Sequence, residues 1–218
     1  MIYDYPDQAS PLRQGDIFLG LPRIDLSLQE VLLAETDGER IAKWEELAGQ
    51  SQPVNIIVPV RSVAAIVATQ DCDTVRSRDI TLCEIREFRN VERKSKDTSA
   101  PKKWKNIITQ QARINQKWFY LPPDEVVGFA DKMAVDFLVT LRVPRVDLES
   151  LRSLRKGRLN EIAEEHFRER IAEFFRRYPY DEWYPLNKEE LEAYVTEYPD
   201  AKPFPWQRLA PDPENDPR

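Results

Sequence analysis

One apolar stretch decides the fold: residues Val54 to Thr69, with the sequence VNIIVPVRSVAAIVAT. Continuous β-branched runs of this length are typical of strands that are covered on both faces. Pro59 cannot donate a hydrogen bond to a neighbouring strand, so we expect it at an edge or a bulge. Four polar residues, Gln70 to Asp73, end the run, and alternating apolar residues from Ile80 to Ile85 follow. The pattern predicts an antiparallel hairpin.

Further short strands are predicted on both sides of this hairpin. A turn and a strand begin at Gln14, and later strands are predicted at 117–121, 126–129 and 134–141. Prolines and polar turns separate these strands. That spacing favours a small, strongly bent antiparallel sheet or an SH3-like barrel over a parallel sheet.

The spacing of apolar residues changes from Asp147 onward. Apolar residues then recur every three or four positions as far as Tyr178, which predicts one amphipathic helix or two joined near Gly157. We therefore predict an α+β protein in three parts. They are a β-rich, barrel-like domain at 1–145 with a long basic loop at 89–116, a helical extension at 146–200, and a proline-rich tail at 201–218.

Composition excludes several classes of protein. The chain has 218 residues and a net charge of −6, which argues against wholesale coating of nucleic acid or an anionic membrane. No apolar run approaches the roughly 20 residues needed to span a bilayer. Two cysteines and one histidine are too few for a disulfide framework or a four-thiolate zinc site. No glycine-rich nucleotide loop is present. We expect a cytoplasmic protein that binds no membrane, cofactor or resident metal.

A candidate binding site lies where the buried strand ends, at Gln70, Asp71, Cys72 and Asp73. A nucleophilic cysteine is favoured by nearby positive charge, whereas the two flanking aspartates raise the pKa of its thiol. His166, the single histidine, is distant in the sequence. Together with Asp79, the aspartates could instead hold a divalent cation or form a solvated turn. A small buried thiol beside such a turn is the simplest interpretation.

A second candidate binding site is the basic loop. Seven basic and two acidic side chains between Arg89 and Lys105 give it a charge near +5. The binding candidates are Lys102, Lys103, Trp104 and Lys105. A tryptophan among lysines is typical of single-strand binders, where it stacks on a base. A mobile, solvated loop is the alternative.

A third candidate is an aromatic cluster near the C-terminal end of the predicted helix. Its members are Phe175, Tyr178, Trp183 and Tyr184. Such a cluster either docks the helix on the β-rich domain or forms a surface for a protein partner.

The order of elements resembles a known family. Gln14-Gly15-Asp16-Ile17 before a strand, then Ala64 to Thr69, then Ile80 to Ile85 resemble the opening of the SH3-like barrel of MazF/PemK-type toxins. Residues Gln70 to Asp73 and Phe119 to Pro122 are similar to motifs of uncharacterised bacterial proteins. The toxins are ribonucleases, and the resemblance implies Arg61 and Arg86 as candidate catalytic residues.

The same resemblance allows a role without catalysis. The toxins use a threonine or serine after their Cys-Pro-Ile stretch, and the matching residues here, Cys83 to Glu87, contain no hydroxyl group. MazF-like barrels also occur as non-catalytic partners in bacterial defence signalling.

Our first hypothesis is therefore a non-catalytic interaction or regulatory module with a protein partner, accessory to bacterial defence or stress signalling. An RNA endonuclease or RNA-binding protein is the alternative, with the arginines stabilising charge and the loop at 89–105 holding RNA or a single strand. A cation- or thiol-dependent enzyme at residues 71–73 is the third. The sequence indicates no oligomeric state.

Overall fold

A computed structural model describes residues 2–36, 38–92, 100–108 and 117–176, together with residues 196, 197 and 199. The chain divides into two compact units, Met1–Arg176 and Arg177–Arg218. The elements described below all belong to the first unit. No helix in the described part of the chain is long and apolar enough to cross a bilayer.

The described residues of the first unit contain ten strands and six helices. The strands are β1 (Tyr3–Asp4), β2 (Asp16–Ile24), β3 (Val31–Glu35), β4 (Gly38–Ala42), β5 (Ile56–Ile57), β6 (Val60–Val67), β7 (Asp79–Glu87), β8 (Trp118–Leu121), β9 (Met133–Pro144) and β10 (Arg155–Leu159). The helices are α1 (Trp44–Leu47), α2 (Asp71–Thr74), α3 (Phe88–Glu92), α4 (Pro101–Asn106), α5 (Arg145–Ser150) and α6 (Glu161–Phe175).

Seven strands form one antiparallel main sheet in the order β1-β10-β2-β6-β7-β9-β8. β6, the strand predicted from the apolar stretch, lies in the middle. Ala65, Ile66 and Val67 are completely buried, which confirms coverage on both faces for this part of the run. The prediction is wrong for the first half of the run, because Ile57 is 42% exposed, Val60 is 58% exposed, and Ile56–Ile57 form β5 in a different sheet. The predicted hairpin is also confirmed, because β6 and β7 pair antiparallel with Ile66 opposite Cys83. The chain is thus a mixed α and β protein with a large antiparallel sheet.

Each face of the main sheet has its own core, because successive side chains of a strand point to opposite faces. On one face Ile66 and Phe137 pack with Phe167 of α6. On the other face Leu82 packs with Leu148 of α5. β6 contributes side chains to both cores from Val63 to Val67, which is why this part of the strand contains no polar residue. Each fully buried leucine, isoleucine or phenylalanine stabilises the fold by about 1.5–3 kcal/mol.

Residues 25–59 form an insertion between β2 and β6, which are direct neighbours in the main sheet. Within this insertion, β4, β3 and β5 form a second antiparallel sheet in that order. The inner face of this small sheet buries Val31 and Leu33 against Leu47 of α1. The insertion therefore has a small core of its own.

The prediction of helix from Asp147 to Tyr178 is wrong in its middle. Residues 155–159 form β10, a strand inside the main sheet between β1 and β2. Gly157 allows this close packing, because a Cβ atom there would lie 2.9 Å from Cγ2 of Val127. Asn160 then starts α6, since its side chain accepts a hydrogen bond from the backbone N–H of Ala163 at 3.0 Å.

Two smaller predictions are also wrong. Val126 to Phe129 form a turn rather than a strand, because Oδ1 of Asp124 accepts hydrogen bonds from the backbone N–H groups of Val126 and Val127. Gly128 adopts a φ of 91° in this turn, a conformation that favours glycine. The basic loop predicted at 89–116 is helical in most of its described residues, because α3 extends to Glu92 and α4 spans Pro101–Asn106.

The carboxylate of Asp16, at the start of β2, is completely buried. Through the arginines of β10 it is linked to the N-terminal segment at residues 7–11. Its Oδ2 accepts a hydrogen bond from Nη1 of Arg155 at 3.0 Å, and its Oδ1 accepts one from Nε of Arg158 at 2.6 Å. The Arg155 guanidinium also donates to three backbone carbonyls between residues 7 and 11. Buried charges are tolerated only when they are paired and hydrogen-bonded, and this network meets that condition.

Asp16→Asn is expected to lower the free energy of unfolding by about 3–5 kcal/mol, because it leaves the buried Arg155 charge without its carboxylate. Urea unfolding monitored by circular dichroism measures the loss. Asp79→Asn is the matched control, since it breaks an ion pair with Arg142, whose side chain is 77% exposed. That control is expected to lose less than about 1 kcal/mol. Equal losses in the two variants would contradict the prediction.

Candidate functional site

Arg61 and Arg86, the two candidate catalytic residues, reach the same carboxylate. Arg61 extends from β6 and Arg86 from β7, and both form ion pairs with Glu84 of β7. Arg23 of β2 forms a third ion pair with Glu84. Two further acids complete this group. We call it the arginine cluster, and its members are Arg23, Asp25, Arg61, Glu84, Arg86 and Asp136.

Glu84 is the buried centre of the arginine cluster, with 2% of its surface exposed. Nη2 of Arg61 lies 3.1 Å from its Oε1 and 3.3 Å from its Oε2. Nε of Arg86 lies 3.9 Å from Oε1, and Nη1 of Arg23 donates to Oε2. Three guanidinium groups therefore surround one carboxylate, and charge-assisted hydrogen bonds of this kind are the strong ones.

The two remaining acids bind the outer sides of the arginines. Oδ2 of Asp25 accepts a hydrogen bond from Nε of Arg61 at 2.7 Å, and Oδ1 of Asp25 lies 3.1 Å from Nε of Arg23. The hydrogen bond from Arg61 lowers the pKa of Asp25, and the same bond raises the pKa of Arg61. Asp136 accepts a hydrogen bond from Arg86 at 3.3 Å. Three arginines thus balance three carboxylates.

A bulge in β9 places Asp136 in this cluster. Cys83 pairs with Thr140, but the next residue of β7, Glu84, pairs with Asp136, so β9 carries extra residues at this point. Oδ1 of Asp136 accepts a hydrogen bond from the backbone N–H of Leu138 at 3.1 Å, which holds the bulge in place. The bulge and Arg23 line a cavity of about 460 Å³.

The arrangement favours a rigid, charge-balanced surface over a catalytic base. Both oxygens of Glu84 already accept hydrogen bonds from guanidinium groups, so the carboxylate has little capacity to take a proton from a substrate. A bound phosphate would have to compete with the cluster's own carboxylates for Arg61 and Arg86. The cluster's charges therefore satisfy one another before any ligand arrives.

Similarity to known proteins does not assign a role to this cluster. No protein-family model, no curated protein and no solved structure matches the chain. A function for the chain rests on the geometry of its own residues.

The predicted site at 70–73 lies in α2, the short helix that joins β6 to β7, with Gln70 as its N-cap. Asp71 accepts hydrogen bonds from the backbone N–H of Gln14 at 2.7 Å and from Nη2 of Arg13 at 2.8 Å. Burial opposes ionisation of Asp71, but these hydrogen bonds outweigh it and hold its pKa below the ordinary value. Asp71 therefore fastens α2 to the segment before β2.

The three aspartates considered as cation ligands do not converge. Asp71 binds Arg13, Asp73 binds Arg76 and Asp79 binds Arg142. Across the described ranges, no three histidine, cysteine or acidic side chains are grouped as a metal ion requires. Each aspartate instead forms an ion pair with a different arginine.

The predicted lysines are exposed on α4, at Lys102, Lys103 and Lys105. Trp104 packs inward, with its ring centroid 5.0 Å from that of Phe88 and 4.9 Å from that of Tyr120. Nζ of Lys132 lies 4.7 Å from the Trp104 ring centroid. These contacts occupy the ring and leave little of it for the base stacking that the sequence predicted.

The aromatic cluster is described only at its first member. Phe175 ends α6 with 63% of its surface exposed, and its ring packs against Phe174. The other members, Tyr178, Trp183 and Tyr184, lie outside the described residues. His166 is exposed on α6 and lines a separate cavity of about 260 Å³ with Trp118 and Arg170.

Sequence reasoning missed an apolar surface on the insertion. Leu32 of β3 pairs with Ile41 of β4 on one side and with Ile57 of β5 on the other, so the three side chains align across the outer face of the small sheet. We call them the apolar row. Ile41 is 69% exposed and Ile57 is 42% exposed. Ile24 and Val60, paired where the insertion joins the main sheet, are also exposed.

Some of these missed residues had a signal in the sequence. Glu84 occupies the same alternating positions as Ile80 and Leu82, whose side chains point to a buried face. A carboxylate on that face indicates a buried ion pair. The apolar row is harder to find, because β3 is apolar on both faces at Val31, Leu32 and Leu33.

Glu84→Gln is expected to lower the free energy of unfolding by about 1.5–3 kcal/mol, because hydrogen bonds to a buried charged group are lost. Asp25→Asn, on the exposed side of the same cluster, is the control and is expected to lose much less, because water screens an exposed ion pair. Chemical denaturation of both variants measures the difference. A Glu84→Gln protein as stable as wild type would show that the cluster does not hold these strands together.

The two thiols are expected to differ in reactivity. Cys72 is exposed on α2, so the interpretation of it as a buried thiol is wrong, whereas Cys83 is buried in β7. Burial, followed by the nearby Asp136, raises the pKa of Cys83 to about 12. Iodoacetamide at about pH 8 should therefore alkylate Cys72 in the native protein and Cys83 only after unfolding, as peptide mass spectrometry would show. Equal labelling of both native thiols would contradict this assignment.

Proposed function

We propose that the chain is a non-catalytic protein-interaction module whose partner binds the outer face of the insertion. The apolar row carries this proposal. Single exposed apolar side chains are ordinary. Here, however, Leu32, Ile41 and Ile57 align across three strands, and the exposed pair Ile24 and Val60 stands at the base of the same insertion. Contiguous exposed apolar surface marks sites of protein contact.

The arginine cluster also supports the proposal, because its arrangement argues against catalysis. Its charges are mutually neutralised, so the residues best placed for catalysis are engaged in holding neighbouring strands together. The wider proposal is a regulatory or accessory role in bacterial defence or stress signalling on an SH3-like barrel. That part rests on the resemblance to MazF/PemK-type proteins.

A ribonuclease is the second candidate, and one observation favours it. Arg61 and Arg86 converge on Glu84, and a carboxylate is one of the groups that a metal-independent ribonuclease can use as its base. The arginines would stabilise the developing phosphorane charge, and the exposed lysines of α4 would hold the RNA backbone. The interaction module ranks first because the oxygens of Glu84 are already occupied by hydrogen bonds.

The double variant Ile41→Ser/Ile57→Ser is expected to lose a partner that wild-type protein captures from extract of its own cells. Each isoleucine buried in an interface contributes about 1.5–3 kcal/mol, so the loss should exceed roughly tenfold. Quantitative mass spectrometry of pull-downs with and without nuclease measures it. Leu138→Ser is the matched control, because Leu138 is 68% exposed on the β9 bulge and lies outside the insertion.

Two outcomes would contradict the interaction module. One is capture that is equal for wild type and the double variant. The other is turnover of RNA by the purified chain that stops when Arg61 or Arg86 is replaced by alanine, which would place the ribonuclease first.

A further inference from the structure

The insertion carries nearly all of the net charge of the chain. Residues 25–59 contain seven acidic and two basic side chains, a net charge of −5, and the whole chain has a net charge of −6. The acids are Asp25, Glu30, Glu35, Asp37, Glu39, Glu45 and Glu46, and the bases are Arg40 and Lys43. The remaining residues are therefore close to neutral as a group, and the apolar row lies on the acidic part of the chain.

Several of these acids have no cation of their own. Asp25 is bound by Arg61, and Glu35 is bound by Arg40 at 2.8 Å. By contrast, three exposed glutamates form no ion pair within the part of the chain that the structure describes. They are Glu30, Glu39 and Glu45. Their charge is available to a partner.

Glu39 stands beside the apolar row. It lies two residues before Ile41 on β4, and residues two apart on a strand point to the same face. Its cross-strand neighbour is Ala34, which is too small to cover it. The outer face of the insertion therefore presents an aliphatic row with a carboxylate next to its most exposed member.

From this combination we infer that the partner segment is basic and aliphatic. Aliphatic side chains of the partner would cover Leu32, Ile41 and Ile57, and lysine or arginine side chains would face Glu39 and the other exposed glutamates of the insertion. This inference rests on the proposed function, since it names the chemistry of the partner at the same surface. Nucleic acid and anionic lipid carry the wrong charge for this face and are repelled by it.

Three fluorescent peptides test the inference on the full chain by anisotropy. One alternates valine with lysine, one alternates valine with serine, and one alternates valine with glutamate. The lysine peptide is expected to bind wild type most tightly. Reversing three charges, in Glu30→Lys/Glu39→Lys/Glu45→Lys, should weaken that binding about tenfold at low salt. The difference should shrink as salt is added, because salt screens exposed charges.

A matched triple variant tests whether the weaker binding comes from the charges on the insertion or from the net charge of the whole chain. Glu125→Lys/Glu165→Lys/Glu169→Lys changes the charge of the chain equally at exposed glutamates outside the insertion. It is expected to bind the lysine peptide as wild type does. Equal weakening in both triple variants would overturn the inference, since net charge alone would then explain the binding.

The proposed function and this inference fail in different ways. Equal binding of all three peptides to wild type, with loss in Ile41→Ser/Ile57→Ser, would overturn the basic partner and leave the interaction surface standing. Partner capture that survives Ile41→Ser/Ile57→Ser would overturn the proposed function. Thermal unfolding of each variant checks that these exposed substitutions leave the fold intact.

Discussion

The rest of the first unit depends on a single buried charge, the carboxylate of Asp16. Arg155 and Arg158 neutralise it from β10, and Arg155 also holds the backbone of residues 7–11. Because an unpaired carboxylate would be strongly unfavourable at this depth, the N-terminal segment, β10 and β2 must assemble together. β10 in turn lies between β1 and β2 and leads directly into α6, which covers one core of the main sheet.

A buried carboxylate surrounded by arginines occurs a second time, at Glu84, with a different result. Around Asp16 the side chains of Arg155 and Arg158 are only 1% and 12% exposed, so the network is almost closed to solvent. Around Glu84 the arginines are between 26% and 46% exposed, so the network forms part of the surface. A closed network serves folding. A half-exposed one also fixes guanidinium groups in a defined array on the sheet, at the opposite end of β2 from Asp16.

The parts that local pattern could predict are those in which neighbouring residues determine the structure. β6 and β7 follow from an apolar run, a polar turn and an alternating strand. β10 could not be predicted in this way, because its spacing of leucines fits a helix. It is a strand because it pairs with β1 and β2, and Arg155 at its start binds Asp16, 139 residues away in the chain. The arginine cluster has the same limitation, since the position of Asp136 depends on a register shift between β7 and β9.

The place at which the insertion joins the main sheet has a consequence for how such a chain can evolve. Ile24 and Val60, at its two ends, are direct partners across β2 and β6, so the chain leaves the sheet and returns at adjacent positions. The insertion has its own small core, and β2 and β6 would need only a tight turn to remain joined without it. Residues 25–59 are therefore a unit that could be exchanged as a whole. Exchanging it would replace the apolar row and its exposed glutamates while the Asp16 network and both cores of the sheet stayed unchanged.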